Sequence, residues 1–174
     1  ECHENDLAGK VIVDTEIGRV ASPNLTQGSG GIGGSLKEAD WVRALRHGVG
    51  RDGHGLWMMP VSRFHHLNDR DLGDVIAYLT TIPPVDRTTE ASQLGLLGRL
   101  VHAMGKLKLI DAHPKRLDGR EEGGTDSISQ GRYLSHLAGC RACHGEDLRG
   151  GDESIGADLV GGSFSRWGFP DFVK

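Results

Sequence analysis

Cys140-Arg141-Ala142-Cys143-His144 is a complete C-x-x-C-H, the stretch of this chain whose residue types and spacing say most about chemistry. In that spacing each thiol can add across one vinyl group of a haem while the adjacent imidazole reaches the iron, so the motif specifies both a cofactor and its attachment. The chain opens on Glu1-Cys2-His3, which reads as the last three residues of a second such motif. Cys2, Cys140 and Cys143 are all the cysteines present. An odd count would leave one free thiol in a disulfide framework, whereas three thioethers leave nothing over.

Other chemistries share the spelling. A C-x-x-C pair is half of many zinc sites, but here His144 adjoins Cys143 and no second pair follows at finger spacing. A thioredoxin-like redox pair belongs in a βαβ setting, which the flanking sequence does not show. Haem c is therefore the cofactor expected, with His3 and His144 as iron ligands. The rival functions are a haem enzyme or sensor with an open distal position, suited to peroxide or a small gas, and, below it, a structural zinc site.

An iron held by His on one side commonly takes Met on the other, which raises its reduction potential. Met58-Met59-Pro60 lies in a loop between two predicted helices, and Pro60 would fix the backbone beside Met59, the preferred ligand of the pair. Methionine is also a flexible filler of cores and needs no special role. His65 and His66 compete as axial ligands, or else sit at the surface or support the start of the next helix. Trp41, Arg43 and Arg46 could donate to haem propionates, and serve equally well as a core indole and a solvated helix face. The glycine run at 28–34 lacks the G-x-x-x-x-G-K-[ST] of a phosphate cradle and reads as a loop that can approach a porphyrin closely.

The elements that position these groups emerge from an internal comparison. Residues 1–9 align with 142–150 at a constant offset of 141, with Cys, His, Asp, Leu and Gly coincident. Asn24-Leu25-Thr26 then matches Asp158-Leu159-Val160, and Asp40-Trp41-Val42-Arg43 matches Asp171-Phe172-Val173-Lys174. Two homologous units follow from such self-similarity. The offset places the partner of Cys140 two positions before Glu1. The first unit is thus expected to lack its opening helix and first attachment cysteine, and the second to be present only in its N-terminal part.

Helices dominate the pattern. Ser35-x-x-Glu38 is a capping-box signature before Trp41, Val42 and Leu45, with Gly48 as the stop. Asn68 caps a second helix with Leu72, Val75, Ile76 and Leu79 on one face, ended by Pro83-Pro84. Ser127-x-x-Gln130 opens a third, carrying Tyr133, Leu134 and Leu137 towards Cys140. A weaker candidate spans 94–104. No clean alternation flanked by hairpin turns is visible, although 10–14 could be a short extended piece. The fold class expected is mostly α: tandem cytochrome c-type domains at 1–87 and 126–174, the second incomplete, joined by a linker at 88–125.

Bulk composition is compatible with this. The 27 glycines are about twice the usual ~7% share, and aromatics make up only 5%, so a buried porphyrin could substitute for missing core. A net charge of −4 argues against a nucleic-acid binder, which would show a basic surplus. The most apolar stretch, 94–110, is broken by Arg99, His102, Lys106 and Lys108 and does not read as a membrane span.

With these residues in view, the chain resembles the diheme members of the class I cytochrome c superfamily, especially those similar to cytochrome subunits of membrane-bound alcohol and gluconate dehydrogenases. The resemblance rests on Cys2-His3 with Asp6-Leu7 and Gly9, on Pro23-Asn24-Leu25-Thr26, on the run from Asp40 to Val49, on Met59-Pro60, on Leu67-Asn68-Asp69-Arg70-Asp71-Leu72 with Ala77-Tyr78-Leu79, and on the connector Leu94-Gly95-Leu96-Leu97-Gly98-Arg99-Leu100. It implies covalent haem c in each unit, His3 and His144 as proximal ligands and Met59 as distal ligand of the first haem. It further implies an electron carrier rather than an enzyme, working in the periplasm or on the periplasmic face of the bacterial inner membrane. Partners implied are a dehydrogenase subunit and a quinol-linked or terminal oxidase acceptor; peripheral association with the membrane is admitted, nucleic acid is not.

Overall fold

The structure, a computed structural model, describes residues 2–107, 123–145 and 147–150. The chain divides into two compact units, Glu1–Arg120 and Glu121–Lys174.

In the first unit, β1 (Lys10–Thr15) and β2 (Gly18–Ser22) form an antiparallel hairpin. The β-branched run Val11-Ile12-Val13 favours extended backbone. A bulge between Val11 and Val13 breaks the period-2 register, which is why the strand gives no clean alternation in the sequence. Across the hairpin Arg19 faces Asp14 and pairs with it at 2.9 Å, and the same guanidinium also pairs with Glu90. A third strand, β3 (Gln93–Leu94), joins β2. Just before it, the Ser92 hydroxyl accepts from the Ala21 N–H (2.9 Å) and donates to the Ala21 carbonyl (3.0 Å), imitating one more rung of the ladder.

The helices follow. α1 (Glu38–His47) carries Glu38 and Asp40 in its first turn and Arg46 and His47 in its last, matching the helix dipole. Its cap, Lys37, lies two residues beyond the predicted Ser35, which instead closes a 3-10 turn over Gly33–Ser35. The Asp40 carboxylate accepts from the Lys37 N–H at 3.0 Å. Gly48 ends α1 in the left-handed region at φ 61°, as predicted. A short α2 (Val61–Phe64) precedes α3 (Asp69–Thr81), whose Asn68 cap accepts from the Asp71 N–H at 2.7 Å. Trp41, Leu45, Val61, Leu67, Leu72 and Ile76 form the buried core of these three helices. α4 (Leu96–Ala103) then packs on β2 and β3.

The second unit contributes α5 (Ser127–Ala138) and α6 (Cys140–His144), separated by Gly139 in the left-handed region at φ 72°. Asp126, rather than Ser127, caps α5, accepting from the N–H groups of Ile128 and Ser129 at 3.0 Å each. Tyr133 is its buried residue.

The expectation of a mostly α chain built as tandem cytochrome c-type domains is thereby corrected. The described residues form mixed α and β structure, with one three-stranded antiparallel sheet in the order β1-β2-β3. The sheet also ties the beginning of the first unit to residues 92–94, within the stretch that reads as a linker. The second-unit matches at 158–160 and 171–174 lie outside the described residues.

Candidate functional site

Cys2 is exposed and His3 half-buried, and the segment is fastened at both residues. The Ser22 hydroxyl donates to the Cys2 carbonyl at 2.6 Å, and the His3 ring nitrogen Nδ1 lies 3.0 Å from the Pro23 carbonyl. A carbonyl can only accept, so Nδ1 carries the hydrogen and the neutral ring presents its Nε2 lone pair. Burial holds the imidazole below the ordinary histidine range, against the Pro23 bond, which favours the charged form. A neutral imidazole with one nitrogen committed to a carbonyl is the state in which histidine ligates a metal.

The Pro23 carbonyl is itself stationed by the next residues. Buried Asn24 donates through Nδ2 to the carbonyls of Val85 (2.7 Å) and Arg87 (3.0 Å), and its Oδ1 accepts from the Thr26 N–H at 2.9 Å. The Thr26 hydroxyl accepts from the Val85 N–H at 3.0 Å. These two fully buried polar side chains bind the 23–26 loop to the 85–87 segment, and the Asn24 amide group is satisfied on both its oxygen and its nitrogen.

After His3 the chain makes a tight turn. Glu4, Leu7 and Gly9 have φ of 65°, 54° and 75°, and the Gly9 N–H donates to the His3 carbonyl at 3.1 Å. The turn after His144 repeats this at the offset of 141. Gly145, Leu148 and Gly150 have φ of 81°, 63° and 70°, and the Gly150 N–H donates to the His144 carbonyl at 2.8 Å. Asp6 accepts from the Ala8 N–H at 3.0 Å, as Asp147 does from the Arg149 N–H at 3.1 Å. Left-handed leucines are sterically costly and uncommon, so two at matching positions mark the two turns as one design.

Cys140, Cys143 and His144 share the single short helix α6, where spacings of three and four residues place side chains next to one another. Both cysteines are partly buried and free of disulfides. Met58 and Met59 part company: Met58 is exposed with φ 56°, whereas Met59 is half-buried and its carbonyl accepts from the Val61 N–H at 2.8 Å. His65 is buried, with Nδ1 3.4 Å from the Arg46 carbonyl and its ring edge-on to that of His66 at 5.6 Å between centroids.

Trp41 is 4% exposed, yet its indole N–H has no hydrogen-bond partner among the described residues. Such an orphan is costly unless a ligand acceptor completes it. Arg46 spends its Nη2 on the Leu67 carbonyl (3.0 Å) and Asp69 (2.5 Å), and Arg43 pairs with Asp40 at 3.3 Å, so neither guanidinium is wholly given to a ligand. Ser22, Pro23 and Arg87 escape a sequence reading as partners of the first turn. Only the Pro23-Asn24-Leu25-Thr26 run hints at them, because their partners lie far along the chain. Among the described residues no group of three or more His, Cys, Asp or Glu is arranged to hold a bare metal ion.

No protein-family model matches the chain. It is similar to the fructose dehydrogenase cytochrome subunit of Gluconobacter japonicus, 32% identical over 155 residues that make up 82% of this chain and 31% of that protein. A diheme cytochrome c-type protein of Cereibacter sphaeroides is 32% identical over 142 residues, 79% of this chain and 47% of that protein. The cytochrome c subunit of a quinone-dependent alcohol dehydrogenase from Gluconacetobacter polyoxogenes is 27% identical over 146 residues, 82% of this chain and 31% of that protein. The chain thus spans less than half the length of each of these curated relatives. By this similarity the chain is a distant relative of cytochrome c subunits of bacterial dehydrogenase complexes.

Proposed function

We propose that the chain carries electrons through covalently bound haem c, attached at Cys140 and Cys143 and, in the first unit, at Cys2, with His144 and His3 as proximal ligands and Met59 as the distal ligand beside His3. The observation that carries this reading is the matching backbone of the turns after His3 and His144, which extends the meaning of the complete C-x-x-C-H to the short one. When bound, haem c supplies one-electron chemistry between ferrous and ferric iron.

The residues present fit that group. Pro23 holds His3 as the Nδ1–H tautomer and so keeps Nε2 available. The Trp41 N–H is a buried donor awaiting an acceptor such as a propionate. The outward turn of Met58 leaves Met59 as the inner thioether. α6 supplies two thiols and an imidazole within little more than one helical turn. Relatives named as cytochrome subunits of fructose and alcohol dehydrogenases support a dehydrogenase as donor; a respiratory acceptor and a periplasmic setting complete the proposal. The role proposed is that of a carrier, with no substrate of its own.

The test is expression in a host that matures c-type haem, followed by haem staining after denaturing electrophoresis. A stained band that persists through denaturation is expected, and Cys140→Ser with Cys143→Ser together should remove the haem of the second unit. A colourless protein from a host that matures a control cytochrome would overturn the reading.

A further inference from the structure

α4 is packed the wrong way round for an ordinary amphipathic helix. The residue it buries is Gly98, which sits so close to the Ile17 carbonyl that a Cβ there would overlap it, while the Gly95 N–H donates to the same carbonyl at 2.9 Å. The leucines face outward: Leu96 is 89% exposed, Leu97 47%, Leu100 58% and, one turn on, Met104 58%. At about 100° per residue these four fall within one arc of about 100° on the side away from Gly98. Ile17, at the hairpin turn against the start of the helix, adds another exposed apolar side chain. A surface helix normally turns that stripe to the core, so contiguous exposure of this kind marks a binding face.

Charge says what binds. Between residues 91 and 110 the sequence carries Arg99, Lys106 and Lys108, with His102, and no acidic residue, in a chain whose net charge is −4. Arg99 and Lys106 are exposed and neither is in an ion pair among the described residues; the Arg99 Nε donates to the Leu94 carbonyl at 3.3 Å, at the root of the helix. The acid whose backbone approaches the start of the helix is Glu16, at the hairpin turn. No described helix is long and apolar enough to cross a membrane. An apolar arc on a short helix, with Arg99 beside it and Lys106 just beyond its end, matches an element that lies in the headgroup region of an anionic bilayer, its leucines in the acyl boundary and its cations among the phosphates.

We infer that α4, with Ile17 beside it, is a peripheral docking surface for anionic phospholipid. This stands independently of the electron-transfer reading, because lipid binding can be measured on the chain with or without haem. The experiment is vesicle flotation, comparing phosphatidylcholine containing phosphatidylglycerol with phosphatidylcholine alone. The chain should float with the mixed vesicles and be released by raised salt. Leu96→Ser with Leu100→Ser, and separately Arg99→Glu with Lys106→Glu, should each weaken partitioning by about tenfold, since exposed leucines and surface cations both contribute to interfacial binding. Circular dichroism checks that each variant is folded; the single changes Leu96→Ser and Lys106→Glu replace any pair that is not. Failure of the parent chain to float with mixed vesicles overturns the inference, as does equal flotation of all folded variants. Concentration-dependent self-association lost on the leucine changes, without flotation, would assign the face to a second copy of the chain and overturn it equally.

Discussion

In the turn after His3 the chain is gripped from outside, by Ser22 on the Cys2 carbonyl, by Pro23 on the imidazole and by Arg87 on Asp6, while the turn after His144 is closed by the Gly150 N–H on the His144 carbonyl and the Leu148 N–H on the Gly145 carbonyl. The positive φ angles and the closing bonds of the described residues nevertheless match in both. A Cys-His-x-x-Asp-Leu-x-Gly sequence therefore contains its own instructions for the turn: the aspartate accepts from an amide two residues on, and the final glycine closes onto the histidine carbonyl. What the surroundings add is a fixed imidazole, and that is encoded elsewhere, at positions that share no motif with the turn.

The sharpest way to break the comparison is at the closing glycines. Both have φ of 70–75°, but a Cβ on Gly9 would also overlap the backbone of Ser22 and Pro23. Gly9→Ala should cost about 3 kcal/mol, combining left-handed strain with overpacking, and Gly150→Ala about 1–2 kcal/mol for its left-handed strain. Urea denaturation of the two variants measures this; equal losses would mean that the first turn is not pressed against the 22–23 segment.

A smaller effect isolates the external grip. Ser22 is buried, and its hydroxyl serves the Cys2 carbonyl together with the Lys10 amide and carbonyl. Ser22→Ala should destabilise the first unit by about 1–2 kcal/mol. Amide hydrogen exchange should quicken across residues 3–9 and stay unchanged across 144–150. Matching changes in both turns would show that they are not independently supported.

The smallest effect concerns acid. The Ala8 N–H, and after it the Arg87 guanidinium 2.9 Å away, hold the Asp6 carboxyl below the ordinary aspartate range. The folded form therefore binds its proton less readily than the unfolded form, so the stabilisation is present above the unfolded pKa of about 4 and fades as pH falls through the lower folded value. Asp6→Asn should flatten the acid limb of the stability curve below about pH 4, by lowering stability slightly at neutral pH and leaving it unchanged at low pH, where Asp6 is itself protonated. An unchanged acid limb would remove Arg87 and Asp6 from the account.

How much of this is legible in the sequence depends on distance along the chain. Gly48 and Asn68 mark helix ends by their own backbone preferences, and both act where expected. The caps at Lys37 and Asp126 are each mimicked by a nearby serine, because serine three places before an acidic or amide residue imitates a capping box whether or not the backbone turns there. The hairpin is all but invisible: a bulge scrambles its alternation, and its turn, Glu16-Ile17, lacks the Asn-Gly or Asp-Gly pair that announces one. β3 is two residues long, and no periodicity survives at that length. Cys140, Cys143, His144, Cys2 and His3 are singled out as candidates by type and spacing, whereas Pro23, Ser22 and Arg87, which surround the first turn, act through backbone atoms or across the fold, where spacing carries no signal.

The Ser92 contact with Ala21 has a consequence for the order of events as the chain is made. The bonds from Ser22 to Cys2 and between His3 and Pro23 each close a loop of 20 residues, and so can form once the first hairpin has emerged. The rung at Ser92 spans 71 residues and the clamp of Arg87 on Asp6 spans 81, so both wait for nearly the whole unit. Longer closures cost more entropy and come later in folding. Between those moments the growing chain presents a histidine already oriented on a scaffold whose sheet is still open.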